Sequence, residues 1–155
     1  MQRIVAKLIV GAAITAIGMF AADNSIGTWK YNPDKSKPAG STMFKSRTDV
    51  REAMPDGGVK VTRTEVLKTG ASSDGTFTFK YDGKEYPATG TRFDKISAKQ
   101  IDANTTDWEV KKTDGKMHQK AHNVVSKDGK TMTVTIKGTD AEGKAAPGTY
   151  VYDKQ

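Results

Sequence analysis

Thr76-Phe77-Thr78-Phe79-Lys80-Tyr81-Asp82-Gly83 is the stretch whose reading decides the fold. Successive side chains of a β-strand point to opposite faces, so Phe77, Phe79 and Tyr81 share one face while Thr76, Thr78 and Lys80 share the other. Asp82-Gly83 then reads as a tight turn. Glycine has no Cβ and takes positive φ freely, and aspartate tolerates the left-handed region. The stretch is therefore half of an antiparallel hairpin with one apolar face.

The same grammar runs along the chain. Asp56-Gly57, Asp74-Gly75, Asp114-Gly115 and Asp128-Gly129 repeat the pair, and Glu142-Gly143 is a near relative. Between such turns lie short segments rich in Val, Thr, Phe and Tyr, at 27–32, 44–53, 59–67, 76–81, 84–89, 95–102, 105–113, 117–126, 132–136 and 149–153. No segment carries a helical repeat. Residues 32–43 read as a connection because Pro33 and Pro38 favour extended predecessors and no apolar period crosses them. Residues 69–74 and 138–148 read as loops, and Pro87 marks its strand as an edge or a bulge.

Strands joined by hairpins are spatial neighbours. An open sheet of so many strands would leave two unpaired edges, and closure removes them. The expected fold is all-β, an antiparallel up-and-down β-barrel of about eight to ten strands. Greek-key crossovers need longer connections than these. A membrane barrel needs strands of ~9–11 residues with an apolar outer band, whereas the outward rows here hold Thr, Lys and Glu. A soluble barrel is expected.

Residues 1–22 are set apart from this pattern. Arg3 and Lys7 precede an apolar run from Leu8 to Phe20, followed by Ala21 and Ala22. That is the layout of a signal peptide, and the run is shorter than the ~20 residues of a membrane span. The expected organisation is a signal peptide at 1–22 and a barrel domain at 23–155, periplasmic or secreted, with no membrane span left after cleavage. The chain has no Cys, which rules out disulfides and a lipid-modified cysteine. Loss of Arg3 and Lys7 lowers the formal charge from +7 to +5. The remaining lysines are scattered beside turns, as in Lys127-Asp128-Gly129-Lys130, which is a solvated surface that protects sheet edges. No nucleic-acid partner is expected.

Chemistry must then be sought on the inward faces. Trp29, Phe77, Phe79, Tyr81, Trp108, Val110, Met132, Val134 and Ile136 are read as inward. Some of their same-face neighbours are polar: Arg63 and Glu65 follow Val59 and Val61, and Gln119 and Asn123 alternate with Met117, Ala121 and Val125. Such positions either lie near a barrel mouth, or follow a bulge that switches the face, or orient a ligand in an otherwise apolar pocket. There is no Gly-x-Ser-x-Gly elbow and no Cys nucleophile. His118 and His122 stand four residues apart in one strand, ~13 Å at about 3.3 Å per residue, too far to share one metal ion. Neither a metal nor a cofactor is expected.

The opening Gly27-Thr28-Trp29-Lys30, the ending Tyr150-Val151-Tyr152-Asp153-Lys154 and the hairpin Lys127-Asp128-Gly129-Lys130-Thr131-Met132-Thr133-Val134 together resemble the lipocalins and fatty-acid-binding proteins. The chain also resembles small exported bacterial proteins described as lipocalin-like, over about residues 26–155. The resemblance implies a calycin barrel whose Trp29 packs across the closed end. It also implies an Arg two residues before Tyr152 to clamp a carboxylate, but Tyr150 stands there, and the usual helical lid is missing. An inward Arg63 or Arg47 is the substitute on offer. The expectation is a monomeric, non-enzymatic barrel binding a small lipophilic molecule. Phe77, Phe79, Tyr81, Trp108, Met132, Val134, Ile136 and Tyr150 would supply apolar contact, and Arg63 or Tyr152 would orient a polar end. Two rivals remain: a filled barrel acting through its surface as an envelope interaction or inhibitor module, and a barrel enzyme acting on an apolar substrate.

Overall fold

The computed structural model describes residues 22–38 and 44–155; the expected leader, apart from Ala22, lies outside them. Ten strands follow in order: β1 (Gly27–Pro38), β2 (Phe44–Ala53), β3 (Val59–Leu67), β4 (Ser72–Phe79), β5 (Tyr86–Thr89), β6 (Lys95–Gln100), β7 (Thr105–Lys111), β8 (His118–Val125), β9 (Thr131–Thr139) and β10 (Gly148–Lys154). Each pairs antiparallel with the next, and β10 returns to β1, so the sheet closes into the expected up-and-down barrel. Among the described residues there is no helix, hence none long and apolar enough to cross a membrane.

The turns work differently from the expectation. No described residue other than glycine has positive φ, whereas Gly57, Gly83, Gly115, Gly129 and Gly143 lie at φ 71–81°. In most of these turns the glycine N–H donates to the carbonyl three residues back, as Gly129 does to Ser126 at 2.8 Å. The aspartate stays right-handed, and its carboxylate accepts the N–H two residues on, as Asp128 does from Lys130 at 3.1 Å. Asp74-Gly75 is not a turn at all. It lies within β4, with Gly75 opposite Arg63. A Cβ there would sit 2.6 Å from the Thr89 carbonyl oxygen, so glycine lets the next turn approach the strand.

Residues 33–38 are strand rather than connection. The β1–β10 register shifts between Asn32 and Lys37, a bulge that absorbs Pro33. Within it Asn32 Oδ1 accepts the N–H groups of Asp34 and Lys35, both at 3.1 Å, and Ser36 Oγ accepts the Val151 N–H at 2.8 Å in place of a ladder carbonyl. β9 likewise runs on through Gly138, and β4 begins earlier than expected, at Ser72. β5 is the shortest strand, joined to β4 only through Thr76–Thr89 and Phe77–Ala88 and to β6 through Tyr86–Ile96 and Pro87–Lys95.

The interior is built as two apolar walls. One contains Val59, Val61, Phe77, Phe79, Phe93, Ile96, Trp108 and Met117 from β3–β8. The other contains Trp29, Tyr31, Phe44, Val125, Met132, Val134, Tyr150 and Tyr152, where β1 meets β10 and β9. Trp29 is fully buried and donates its indole N–H to the Ser25 carbonyl at 2.7 Å.

Candidate functional site

The turn at residues 54–58 fixes which residues of β2 and β3 stand opposite one another. Val61 faces Arg51, Arg63 faces Asp49, and Glu65 faces Arg47, in unbroken register from Ser46 to Ala53. These positions follow the two-residue period of the inward row that starts at Val59, so the pleat carries Arg47, Asp49, Arg51, Arg63 and Glu65 into the barrel. All five are buried. The polar residues of β3 therefore reflect neither a bulge nor a switch of face.

Arg63 binds Asp49 with two parallel hydrogen bonds, Nε to Oδ1 and Nη2 to Oδ2, both 2.8 Å. Arg47 Nε adds a 3.4 Å bond to Asp49 Oδ1 and lies 3.7 Å from Glu65 Oε2. Glu65 Oε1 accepts from Arg92 Nε and from Ser73 Oγ, both at 2.8 Å. Arg92 reaches in from the β5–β6 turn and is the most exposed of the cations, at 20%. Four guanidinium groups thus meet two carboxylates inside one barrel, a formal excess of two positive charges.

Burial alone would suppress ionisation of Asp49, but Arg63 and Arg47 outweigh it and hold the carboxyl well below the usual carboxylate range. Burial and then Arg47 and Arg92 act on Glu65 in the same opposing way, with a net lowering. For Arg47, burial is outweighed by its acidic neighbours and the cation is reinforced. Arg51 is the exception: burial dominates, and its pKa falls below the ordinary arginine value. Burial, with Tyr152 beside it, pushes Tyr150 up to about 12.

Arg51 spans the barrel. Its guanidinium carbon lies 4.3 Å from the centre of the Trp108 ring on β7. Its nearest carboxylate oxygen, Asp49 Oδ2, is 3.8 Å from Nη2, beyond hydrogen-bond range. Arg51 Nε and Nη1, Trp108 Nε1 and Thr106 Oγ1 are buried without a protein partner. The other arginines also lie over rings: Arg63 is 5.4 Å from Phe77, Arg47 is 4.8 Å from Phe44, and Arg92 is 5.2 Å from Phe44.

The residues expected to line a pocket divide between the two walls. Trp108 meets both Phe77 and Phe79 edge-to-face, with the Phe79 and Trp108 centroids 5.0 Å apart, while the two phenylalanines stack on each other. Met132, Val134, Tyr150 and Tyr152 are buried in the opposite wall, with Ile136 half-buried against it. Arg63 lies between the walls in the charged patch. Tyr81 falls just past the end of β4, half-buried, its ring edge-on to Phe79 and its hydroxyl donating to Asp23 Oδ2 at 2.7 Å. Reasoning from sequence missed Asp49, Arg51, Arg92 and Phe93. For the first two a signal existed, since hairpin register about the 54–58 turn sets opposite charges face to face. For Arg92 and Phe93, which reach in from a turn, there was none.

The outer face offers a concavity of about 650 Å³ whose lining includes Lys99, Asp107, Trp108, Glu109, Lys120 and His122. His122 Nδ1 sits 2.6 Å from Asp107 Oδ1, and His118 Nε2 sits 2.5 Å from Glu109 Oε1. Both imidazoles are about half exposed and point away from the barrel interior. Among the described residues no three His, Cys, Asp or Glu side chains gather to hold a metal.

No protein-family model and no curated protein matches the chain. Among solved structures the chain is similar to the fluorescent protein UnaG. The wild-type structure gives a TM-score of 0.57 at 14% identity, over 85% of this chain and 98% of that one. Two variants of UnaG, with one asparagine replaced by alanine or by glutamine, are similar as well. The alanine variant gives 0.56 at 13% identity over 85% and 96%, and the glutamine variant 0.54 at 15% over 84% and 96%. At that identity the likeness concerns the fold alone: the closed antiparallel barrel of this chain is similar to the fold of UnaG.

Proposed function

We propose that the protein is an exported barrel that takes a small, lipophilic molecule into its interior and performs no chemistry on it. The observation that carries the reading is the inward face itself, two walls of aromatic and aliphatic side chains enclosing a charged patch whose cations exceed its anions. A barrel that only needed a core would gain by replacing such a patch with apolar side chains, since buried ion pairs are often no better than hydrophobic residues of equal volume. The barrel fold shared with UnaG suits an interior ligand. The leader-like residues 1–22 support export.

Occupation requires the two walls to part, and β5 is where the wall is weakest, held on each side by only two residue pairings. A hollow of about 340 Å³ beside Arg63, Gly75, Thr89 and Gly90 adjoins that seam. The test is a titration with the neutral fluorophore N-phenyl-1-naphthylamine. Saturable one-to-one binding with a blue-shifted emission is expected, and Phe79→Glu should abolish it. Absence of saturable binding refutes the reading. Export is checked separately by intact mass of the protein recovered from outside the cytoplasm, which should lack the leader.

A further inference from the structure

Three of the four interior arginines have carboxylate partners within about 3.7 Å along Nε. Arg51 makes no hydrogen bond to a carboxylate, its nearest being Asp49 Oδ2 at 3.8 Å from Nη2, yet it is as deeply buried as Asp49, with a side-chain exposure of 2%. An unpaired polar group in the interior forfeits its hydration without return, and a charged one forfeits most. The strand that Arg51 faces shares the shortfall, since Trp108 lies against its guanidinium and Thr106 is the next buried residue on the same face of β7. The Arg51 Nε–H and Nη1–H groups, the Trp108 indole N–H and the Thr106 hydroxyl are all buried without a protein partner. Three of these four groups are donors only, and the hydroxyl is able to donate. Their chemistry fits an oxyanion.

We propose that Arg51, Trp108 and Thr106 form the polar subsite of the interior, and that the ligand is an amphiphilic organic anion whose acidic head docks there while its apolar body lies along the aromatic walls. This rests on the reading of the barrel as a binder and adds to it the chemical class of the ligand. The head would bring charge neutralisation to the two-charge excess of the patch. It would be held by charge-assisted bonds from the guanidinium, which stays planar against the Trp108 ring at 4.3 Å. The satisfied Arg63–Asp49 fork is then scaffold: it fixes the β2–β3 hairpin that presents Arg51. The subsite lies on β2 and β7, away from β10, where Tyr150 replaces the expected arginine.

A pair of probes differing only in the acid isolates the head group. 1-Anilinonaphthalene-8-sulfonate carries a sulfonate on the skeleton of neutral N-phenyl-1-naphthylamine. Both are titrated in 0.5 M NaCl, where exposed lysines are screened and buried groups are not. The sulfonate should bind at least about tenfold tighter. Arg51→Met, which keeps a flexible side chain over Trp108, should bring the ratio of the two affinities to about one. Trp108→Phe, which removes the N–H and keeps an aromatic ring, should lower the ratio about threefold, and it decides the matter if Arg51→Met fails to fold. Inorganic sulfate at tens of millimolar should not compete, since the body supplies most of the affinity. If neither probe binds, the interior-binding reading itself fails. If the neutral probe binds and the sulfonate gains nothing, or gains as much in both variants, the subsite is refuted.

Discussion

Asp49→Asn isolates the charge of the interior patch, because the amide keeps the shape and one acceptor oxygen. In the native barrel the Asp49 carboxylate takes both forks of Arg63 at 2.8 Å, lies 3.4 Å from Arg47 Nε and stands 3.8 Å from Arg51 Nη2. Removing its charge leaves Glu65 alone against four guanidinium groups. Breaking a buried pair from one side costs about 3–5 kcal/mol, chiefly from the uncompensated charge left behind. For a barrel of this length that is a fall of about 10–15 °C in Tm. The measurement is thermal unfolding at pH 7 followed by far-ultraviolet circular dichroism, with urea unfolding to give the free energy. The cycle is completed with Arg51→Met. That change should by itself be neutral or stabilising, since it removes a buried cation without a hydrogen-bonded anion. In its background Asp49→Asn should cost about 1 kcal/mol less, a coupling expected of neighbours in one network. A loss below about 1 kcal/mol for Asp49→Asn, or an identical loss in both backgrounds, would refute the claim that Asp49 is the counter-charge for the patch.

Acid should find the same groups. Asp49 and Glu65 have folded pKa values depressed below 3.8 and 4.5. Their contribution is therefore complete above those ordinary values and is lost as pH falls through the depressed ones. The urea midpoint should be flat from pH 8 to about 5 and fall below about 4, more shallowly in Asp49→Asn. Gly138→Ala should cost more than about 3 kcal/mol, because φ is +123° and the new Cβ would run into the His118 carbonyl oxygen. Gly115→Ala, at φ +75° with nothing within 4 Å, should cost only about 1–2 kcal/mol, and equal losses by urea unfolding would contradict the steric argument. Hydrogen exchange read by mass spectrometry should find β5 the least protected strand and β2–β3 among the most protected. Protection of Tyr86–Thr89 equal to that of Val59–Leu67 would remove β5 as the seam through which the walls part.

The barrel was legible because its signals are local. Alternation in Phe77-Thr78-Phe79 and glycine at most turns are properties of a few adjacent residues, and closure follows from short connections. The misreadings occur where a side chain substitutes for backbone or where tertiary packing overrides a turn signal. Ser36 Oγ stands in for a ladder carbonyl and lets β1 continue past Pro33, which no apolar period announces. Asp74-Gly75 has turn composition, but its glycine is required by the approach of the Thr89 carbonyl from another hairpin. The charged interior was half legible. Arg63 and Glu65 stood out because they continue the Val59–Val61 face, yet Arg47, Asp49 and Arg51 have no apolar residue between them to mark their row as inward. Charge on alternate positions of a strand ordinarily means solvent. Only the register of the hairpin, pairing Arg63 with Asp49 and Glu65 with Arg47, inverts that inference.

Composition cannot separate Arg51 from Arg63, and burial does not separate them either. Both leave β-strands inward, both are desolvated and both lie over aromatic rings, Trp108 for one and Phe77 for the other. The difference is in their partners. Across the hairpin Arg63 meets Asp49 and commits its Nε and Nη2 donors to it, whereas Arg51 meets Val61, which can accept nothing through its side chain. Desolvation penalises the two alike, so the return differs by the whole of a charge-assisted fork. A substitution at Val61 that supplied a carboxylate would repair the deficit within the fold. In this chain Val61 is instead a fully buried member of the Phe77–Trp108 wall. The barrel keeps an apolar wall where a counter-ion would be most stabilising and leaves the guanidinium facing the interior. That combination makes sense for a protein whose missing anion arrives with its ligand.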